Sequence, residues 1–213
     1  MSLAGLATSA HAQNVSPAEV AVLPRIIDTL CVDLVADLNG CETAVLLASD
    51  TEPDTADLII FADRRAADGP IILAATRSIA YNGPLFGQSP LLEQAQNGSL
   101  RLHAEQVGIG RAPWTETLTI AYRDGDFLIA GRTYTTYDRA LGGGFTCDIN
   151  LLTGDWVTSA DRPNPETEET IYEADNSGRL PPEQPLLDDW TWTTPLPTPC
   201  AIELDAWWAA APQ

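Results

Sequence analysis

The chain contains no lysine: all 11 basic residues are arginines, set against 30 acidic residues for a formal charge of −19. A field of that sign repels phosphate backbones, so the composition argues against nucleic acid as a partner and fits a solvated acidic surface. Histidine is also scarce, with His103 the only one beyond the first dozen residues. That leaves a single imidazole for any Ser/His/Asp or Cys/His arrangement, and no G-x-S-x-G elbow accompanies it. No CxxC or Cys/His metal spacing occurs. No apolar run approaches the roughly 18 residues of a membrane span, and no repeat recurs at a solenoid period.

What is present is one domain's worth of chain. Its 213 residues are 45% hydrophobic, enough to bury roughly 70% of the unfolded surface. The opening MSLAGLATSAHAQ ends in Ala10-His11-Ala12, a small-x-small cleavage pattern before Gln13, without a basic n-region. Residues 1–12 therefore read as a signal-peptide remnant, and 13–213 as a single exported β-rich domain, periplasmic or secreted. Four cysteines, at positions 31, 41, 147 and 200, suit an oxidising compartment and allow three connectivities. Nearness in sequence favours Cys31–Cys41, which leaves Cys147–Cys200 to tie down a proline-rich tail. In the loop-entropy model the two closures contribute about 2.5 and about 4 kcal/mol. Four buried free thiols are the alternative.

Along the chain, Ser16-Pro17-Ala18-Glu19 is a capping box that predicts an N-terminal helix, with Val20, Leu23, Ile27 and Leu30 as its apolar stripe and Pro24 as a break or kink. After Cys41 the texture becomes strand-like: ETAVLLAS, ADLIIFAD and PIILAATRSIAY are separated by polar turns and read as an antiparallel series. SLRLHAE alternates, with Leu100, Leu102 and Ala104 on one face and Arg101, His103 and Glu105 on the other. GGGFTCDINLLTGDWVT supplies another strand, a turn and a return. The segment 161–189 is acidic and proline-rich and reads as a surface excursion.

The clearest element is TETLTIAYRDGDFLIAGRTYTTYD, in which Asp124-Gly125 calls for a two-residue type I′ hairpin. The expected register sets Tyr122 opposite Phe127, Ile120 opposite Ile129, Leu118 opposite Gly131 and Trp114 opposite Thr135. Trp114 then shares the core face with Leu118 and Ile120. Thr117, Arg132 and Tyr134 fall on the other face, where Arg132 offers oriented donors for recognition. The preceding GIGRAPW resembles a phosphate loop only superficially. It lies between strands and lacks the Lys-Ser/Thr ending, so its glycines turn the chain.

Other candidate chemistry is thin. Glu105 and Glu116 flank the glycine loop and are the carboxylate pair a hydrolase would use, with His103 as an alternative base. Trp190 and Trp192 point the same way if DWTWTT is extended, either as an exposed stacking platform or as cover for an open core. Asp37-Leu38-Asn39-Gly40 resembles the start of the calcium loop in FG-GAP-type repeats, which implies Asp33, Asp37, Asn39 and Glu42 as ligands. The next residue is Cys41 and the later glycine and aspartate are missing, so the loop reads as degenerate, with no cofactor expected and Ca²⁺ the one possible ion.

The set G-x-G-x-x-x-W, LTIAYRDGDFLIAG, CDINLLTG, PLLDDW and P-T-P-C resembles a group of small exported bacterial proteins of uncharacterised function, over the middle and C-terminal two-thirds of the chain. That resemblance implies a match between Cys147 and the C-terminal cysteine, Cys200, and carries no catalytic residue. The expectation is a mainly β protein, a single antiparallel, hairpin-rich sheet domain with an N-terminal helix and a proline-rich C-terminal tail. Its expected role is non-enzymatic binding of an envelope or exported partner, with an inhibitor or immunity protein and a carboxylate-dependent hydrolase as alternatives.

Overall fold

The computed structural model describes residues 16–36, 38, 40–66, 69–83, 88–164, 167 and 169–211; for 63–66 and 69 it describes the backbone alone. The leader, Asp37, Asn39 and residues 84–87 lie outside the described residues.

The capping box forms as the sequence requires. Ser16 Oγ accepts from the Glu19 amide, and the Glu19 carboxylate accepts from the Ser16 amide, opening helix α1 (Pro17–Val22). The expected stripe through Leu30 does not form. Pro24 sits in a single 3-10 turn, Leu23–Arg25, and the β-branched pair Ile26-Ile27 then begins strand β1 (Ile26–Val32). None of α1 is buried.

Strand β1 pairs with β2 (Glu42–Ala48), followed in order by β3 (Thr55–Ala66) and β4 (Gly69–Tyr81), giving a four-stranded antiparallel sheet. Seven further strands make a second antiparallel sheet, again in sequence order: β5 (Leu91–Gln94), β6 (Leu100–Gln106), β7 (Trp114–Arg123), β8 (Asp126–Tyr137), β9 (Gly144–Asn150), β10 (Asp155–Pro163) and β11 (Thr170–Arg179). The expected antiparallel, hairpin-rich β architecture is present, arranged as two sheets. Much of the acidic segment is ordered hairpin, with β11 as an edge strand along β10.

The sheets pack face to face. Ala44, Leu46, Leu58 and Ile60 of the first meet Leu100, Leu102, Leu118, Ile120 and Ile129 of the second in one core. At roughly 25 cal/mol per Å² of apolar surface, each of these leucines and isoleucines contributes about 1.5–3 kcal/mol. Beyond this overlap the inner face of the seven-stranded sheet is covered by helix α2 (Thr198–Ala209), which the sequence reading took for tail. Phe145, Cys147 and Ala160 form a second core there with Cys200 and the fully buried Trp207. The cysteines pair as Cys31–Cys41 and Cys147–Cys200. The first closes the loop between β1 and β2; the second fastens the first turn of α2 to β9.

Candidate functional site: the outer face of the seven-stranded sheet

Alternation within the second sheet sorts its side chains. Leu100, Leu102, Leu118, Ile120 and Ile149 point into the core, so their neighbours point outward: Arg101 and His103 on β6, Thr117 and Thr119 on β7, Asp148 and Asn150 on β9. No described element covers this outer face at β6–β9. At its middle lie Ala121, Ala130 and Gly131, three residues with little or no side chain, and above them is an open hollow of about 800 Å³. Gly131 suits a close approach, since a Cβ there would stand 3.1 Å from the Ile149 carbonyl oxygen. Hydroxyls of Thr117, Thr119 and Thr133, amides of Asn97 and Asn150, guanidinium groups and one carboxylate, Asp148, surround the hollow. This is an array of hydrogen-bond donors and acceptors on rigid strands.

The face of Arg132 and Tyr134 is corrected by one residue. The hairpin register follows Asp124-Gly125, both at positive φ, as far as Ile120 opposite Ile129. Thr119 then pairs with Gly131, Leu118 with Arg132 and Trp114 with Thr136, leaving Ala130 as a β-bulge. The bulge shifts every later side chain of β8 to the opposite face. Arg132, 6% exposed, therefore lies inside. It forms an ion pair with Glu116, donates from Nη1 to the carbonyls of Thr194 (3.0 Å) and Pro195 (2.8 Å), and sits 5.4 Å from the Trp190 ring. Burial raises the pKa of Glu116 against the opposing pull of Arg132, and burial also raises that of Tyr134. Arg132 is an internal fastener for the tail.

The candidate catalytic groups are split by the sheet. Glu116 is inward, whereas Glu105 and His103 are outward and 33% and 30% exposed. His103 Nδ1 lies 3.1 Å from Thr117 Oγ1, and Nε2 lies 3.7 Å from Glu105. Hydroxyl, imidazole and carboxylate thus stand in the order of an activated nucleophile. Thr117, however, sits on an interior strand, with ladders to β6 and β8 on both sides. Its surrounding amides are committed to those ladders, and nothing described offers the paired donors of an oxyanion hole.

The remaining candidates serve the fold. Buried Glu42 accepts from the amides of Leu34 (2.7 Å) and Val35 (3.0 Å), so its carboxylate closes the loop before Cys41. Asp33 is exposed, and no group of three metal-capable side chains occurs among the described residues. Trp190 is buried in the main core, while the Trp192 amide donates to Ser78 and its ring lies 5.8 Å from Tyr81. Both tryptophans cover core. In GIGRAPW, Gly110 has φ +76° and its carbonyl accepts from Arg139, as does that of Val107. Arg111 of the same loop grips the buried Asp138, which also binds the fully buried Arg162. The loop turns the chain and delivers Trp114 to the core, against Tyr81 and Tyr134.

Sequence reasoning singled out Thr117 but missed the hollow above it, because the signal lies in three small residues on two strands, Ala121, Ala130 and Gly131. Only the true register brings them together. No described helix is long and apolar enough to cross a membrane. Comparison with protein-family models, curated proteins and solved structures finds no match.

Proposed function

We propose that the chain is an exported binding protein whose recognition surface is the outer face of β6–β9. One observation carries this reading: the sheet's hollow of about 800 Å³ is lined by hydroxyls, amides and charged groups, while the inner face carries core, the Cys147–Cys200 disulfide and the tail. Two disulfides support an oxidising, exported setting. The backbone of the face is held in ladders on both sides, so it meets a partner without rearranging. The test is a backbone-amide NMR titration of the oxidised chain with soluble envelope fractions. The expected result is saturable shifts centred on Arg101, Thr117, Thr119, Thr133 and Asp148. Shifts centred on β11, in the acidic segment, would favour the inhibitor reading instead.

The contact between His103 and Thr117, 3.1 Å long, supports a second reading, a hydrolase using that hydroxyl with Glu105 behind the imidazole. It predicts turnover of an ester or glycoside probe that Thr117→Val abolishes. Binding without turnover returns the assignment to the first reading.

A further inference from the structure

The nine arginines whose side chains are described sort into three groups. Arg25, Arg77, Arg111, Arg132, Arg162 and Arg179 each pair with a carboxylate, as expected where acids outnumber bases 30 to 11. Arg139 is spent on loop carbonyls. Two remain, and both line the hollow: Arg101 makes no hydrogen bond or ion pair within the described residues, and Arg123 donates only to the neighbouring Tyr122 carbonyl. Their cross-strand neighbours Glu93 and Asp126 stand directly opposite in the ladders yet form no ion pair with them. Among the described side chains, these are two guanidinium groups on one surface with no carboxylate paired to either.

Their positions are fixed by the ladder. Arg101 pairs with Thr119, and Arg123 lies four residues further along the adjacent strand, about 13 Å away, so the two guanidinium groups stand at separate points on the β6–β7 side of the hollow. The other side, on β9, carries Asp148 and Asn150. A site with two separated cations along one side, hydroxyls in the middle, and a carboxylate and an amide at the far side suits a ligand bearing repeated anions with hydroxyls along its length. The guanidinium fork matches a carboxylate bidentately. Asp148 Oδ1 accepts from Thr133 Oγ1 and leaves Oδ2 for a ligand hydroxyl, Asn150 Oδ1 accepts from the Thr153 amide and leaves its NH₂ to donate, and Thr119 acts as both donor and acceptor. From β6 to β9 the hollow crosses three inter-strand spacings, about 14 Å, the reach of a short oligosaccharide rather than a single ring. The overall charge of −19 does not forbid this, because at physiological salt the Debye length of about 8 Å leaves the nearest charges dominant.

We infer that this hollow binds an acidic oligosaccharide, a chain of uronate-type sugars, with Arg101 and Arg123 each gripping a sugar carboxylate. The inference rests on the proposed binding face and gives it a ligand class.

The test is calorimetric titration of the full oxidised chain with trigalacturonate, neutral maltotriose and citrate at physiological ionic strength. Saturable one-site binding of trigalacturonate is expected, with maltotriose and citrate much weaker. Arg101→Gln and Arg123→Gln should each weaken it by about tenfold or more, without loss of folding, since neither side chain is buried or ion-paired. Citrate binding as tightly as trigalacturonate would overturn the saccharide assignment, and undiminished binding in both variants would overturn the arginine grip. Thr119→Tyr, which fills the hollow, separates the two layers of the account. If it abolishes binding while the arginine variants do not, the face stands and this inference falls. If none of the three variants matters, both fall.

Discussion

The guanidinium of Arg132 and the carboxylate of Glu116 meet inside the protein because a single extra residue, Ala130, is inserted into β8. Without the bulge, Arg132 would face solvent and Glu116 would be buried without its cation. With it, the pair anchors the tail through Thr194 and Pro195 and leaves small residues on the outer face. Removing one partner, as in Arg132→Met or Glu116→Leu, should cost about 3–5 kcal/mol, because the other charge remains buried. The double variant should lose far less than the sum of the singles. Urea midpoints of the four proteins measure this coupling directly.

Asp138 makes stability depend on acid. Hydrogen bonds from Arg111 hold its pKa far below the ordinary carboxylate range, aided by Arg162 and the amides of Ala140 and Leu141. A carboxyl whose folded pKa is depressed stabilises the fold above its unfolded value, 3.8, and that contribution drains away as pH falls toward the folded value. Thermal midpoints of the wild type should therefore drop below about pH 4 more steeply than those of Asp138→Asn. The variant should be less stable at neutral pH, since the fully buried Arg162 loses its carboxylate.

The disulfides should differ in worth. Cys147 and Cys200 are 53 residues apart, against 10 for Cys31 and Cys41. Cys200→Ser should cost about 4 kcal/mol and Cys41→Ser about 2.5 kcal/mol, from loop closure alone. Hydrogen exchange should show the Cys200 variant freeing the amides of α2 selectively, because that bridge is its covalent tie to β9.

Two glycines at nearly the same backbone angle should respond unequally. Gly110 (φ +76°) has open space where a Cβ would go, whereas at Gly154 (φ +78°) a Cβ would stand 2.0 Å from the Leu180 carbonyl oxygen. Gly110→Ala should cost about 1–2 kcal/mol for the left-handed conformation alone. Gly154→Ala adds a backbone clash and should lower the denaturant midpoint clearly further.

What could be read in advance was the local chemistry. The Ser16–Glu19 box started a helix where it should, Asp124-Gly125 turned a hairpin, and the alternation of SLRLHAE sorted its faces. What could not be read depended on partners distant in sequence. Ala130 is an ordinary strand residue, and nothing local marks it as a bulge, so the faces of Arg132 and Tyr134 came out inverted. Ile27 and Leu30 fit a helical stripe as well as a strand until pairing with β2 decided the matter. Helix α2 was hidden by the prolines around it, although Pro199 in its first turn is a favoured start. The hollow needs Gly131 beside Thr119, a pairing that exists only in the bulged register.

The central claim is that the outer face of β6–β9 is where this protein meets its ligand, and filling the hollow tests it most directly. Thr119→Tyr lays a ring across Gly131, its ladder partner, an arrangement in which an aromatic side chain packs well over a strand glycine. Binding isotherms on soluble envelope glycan should then show saturable retention of the wild type and loss of retention by the variant, at unchanged thermal stability. Equal retention of the two proteins would contradict the claim and place recognition elsewhere on the molecule.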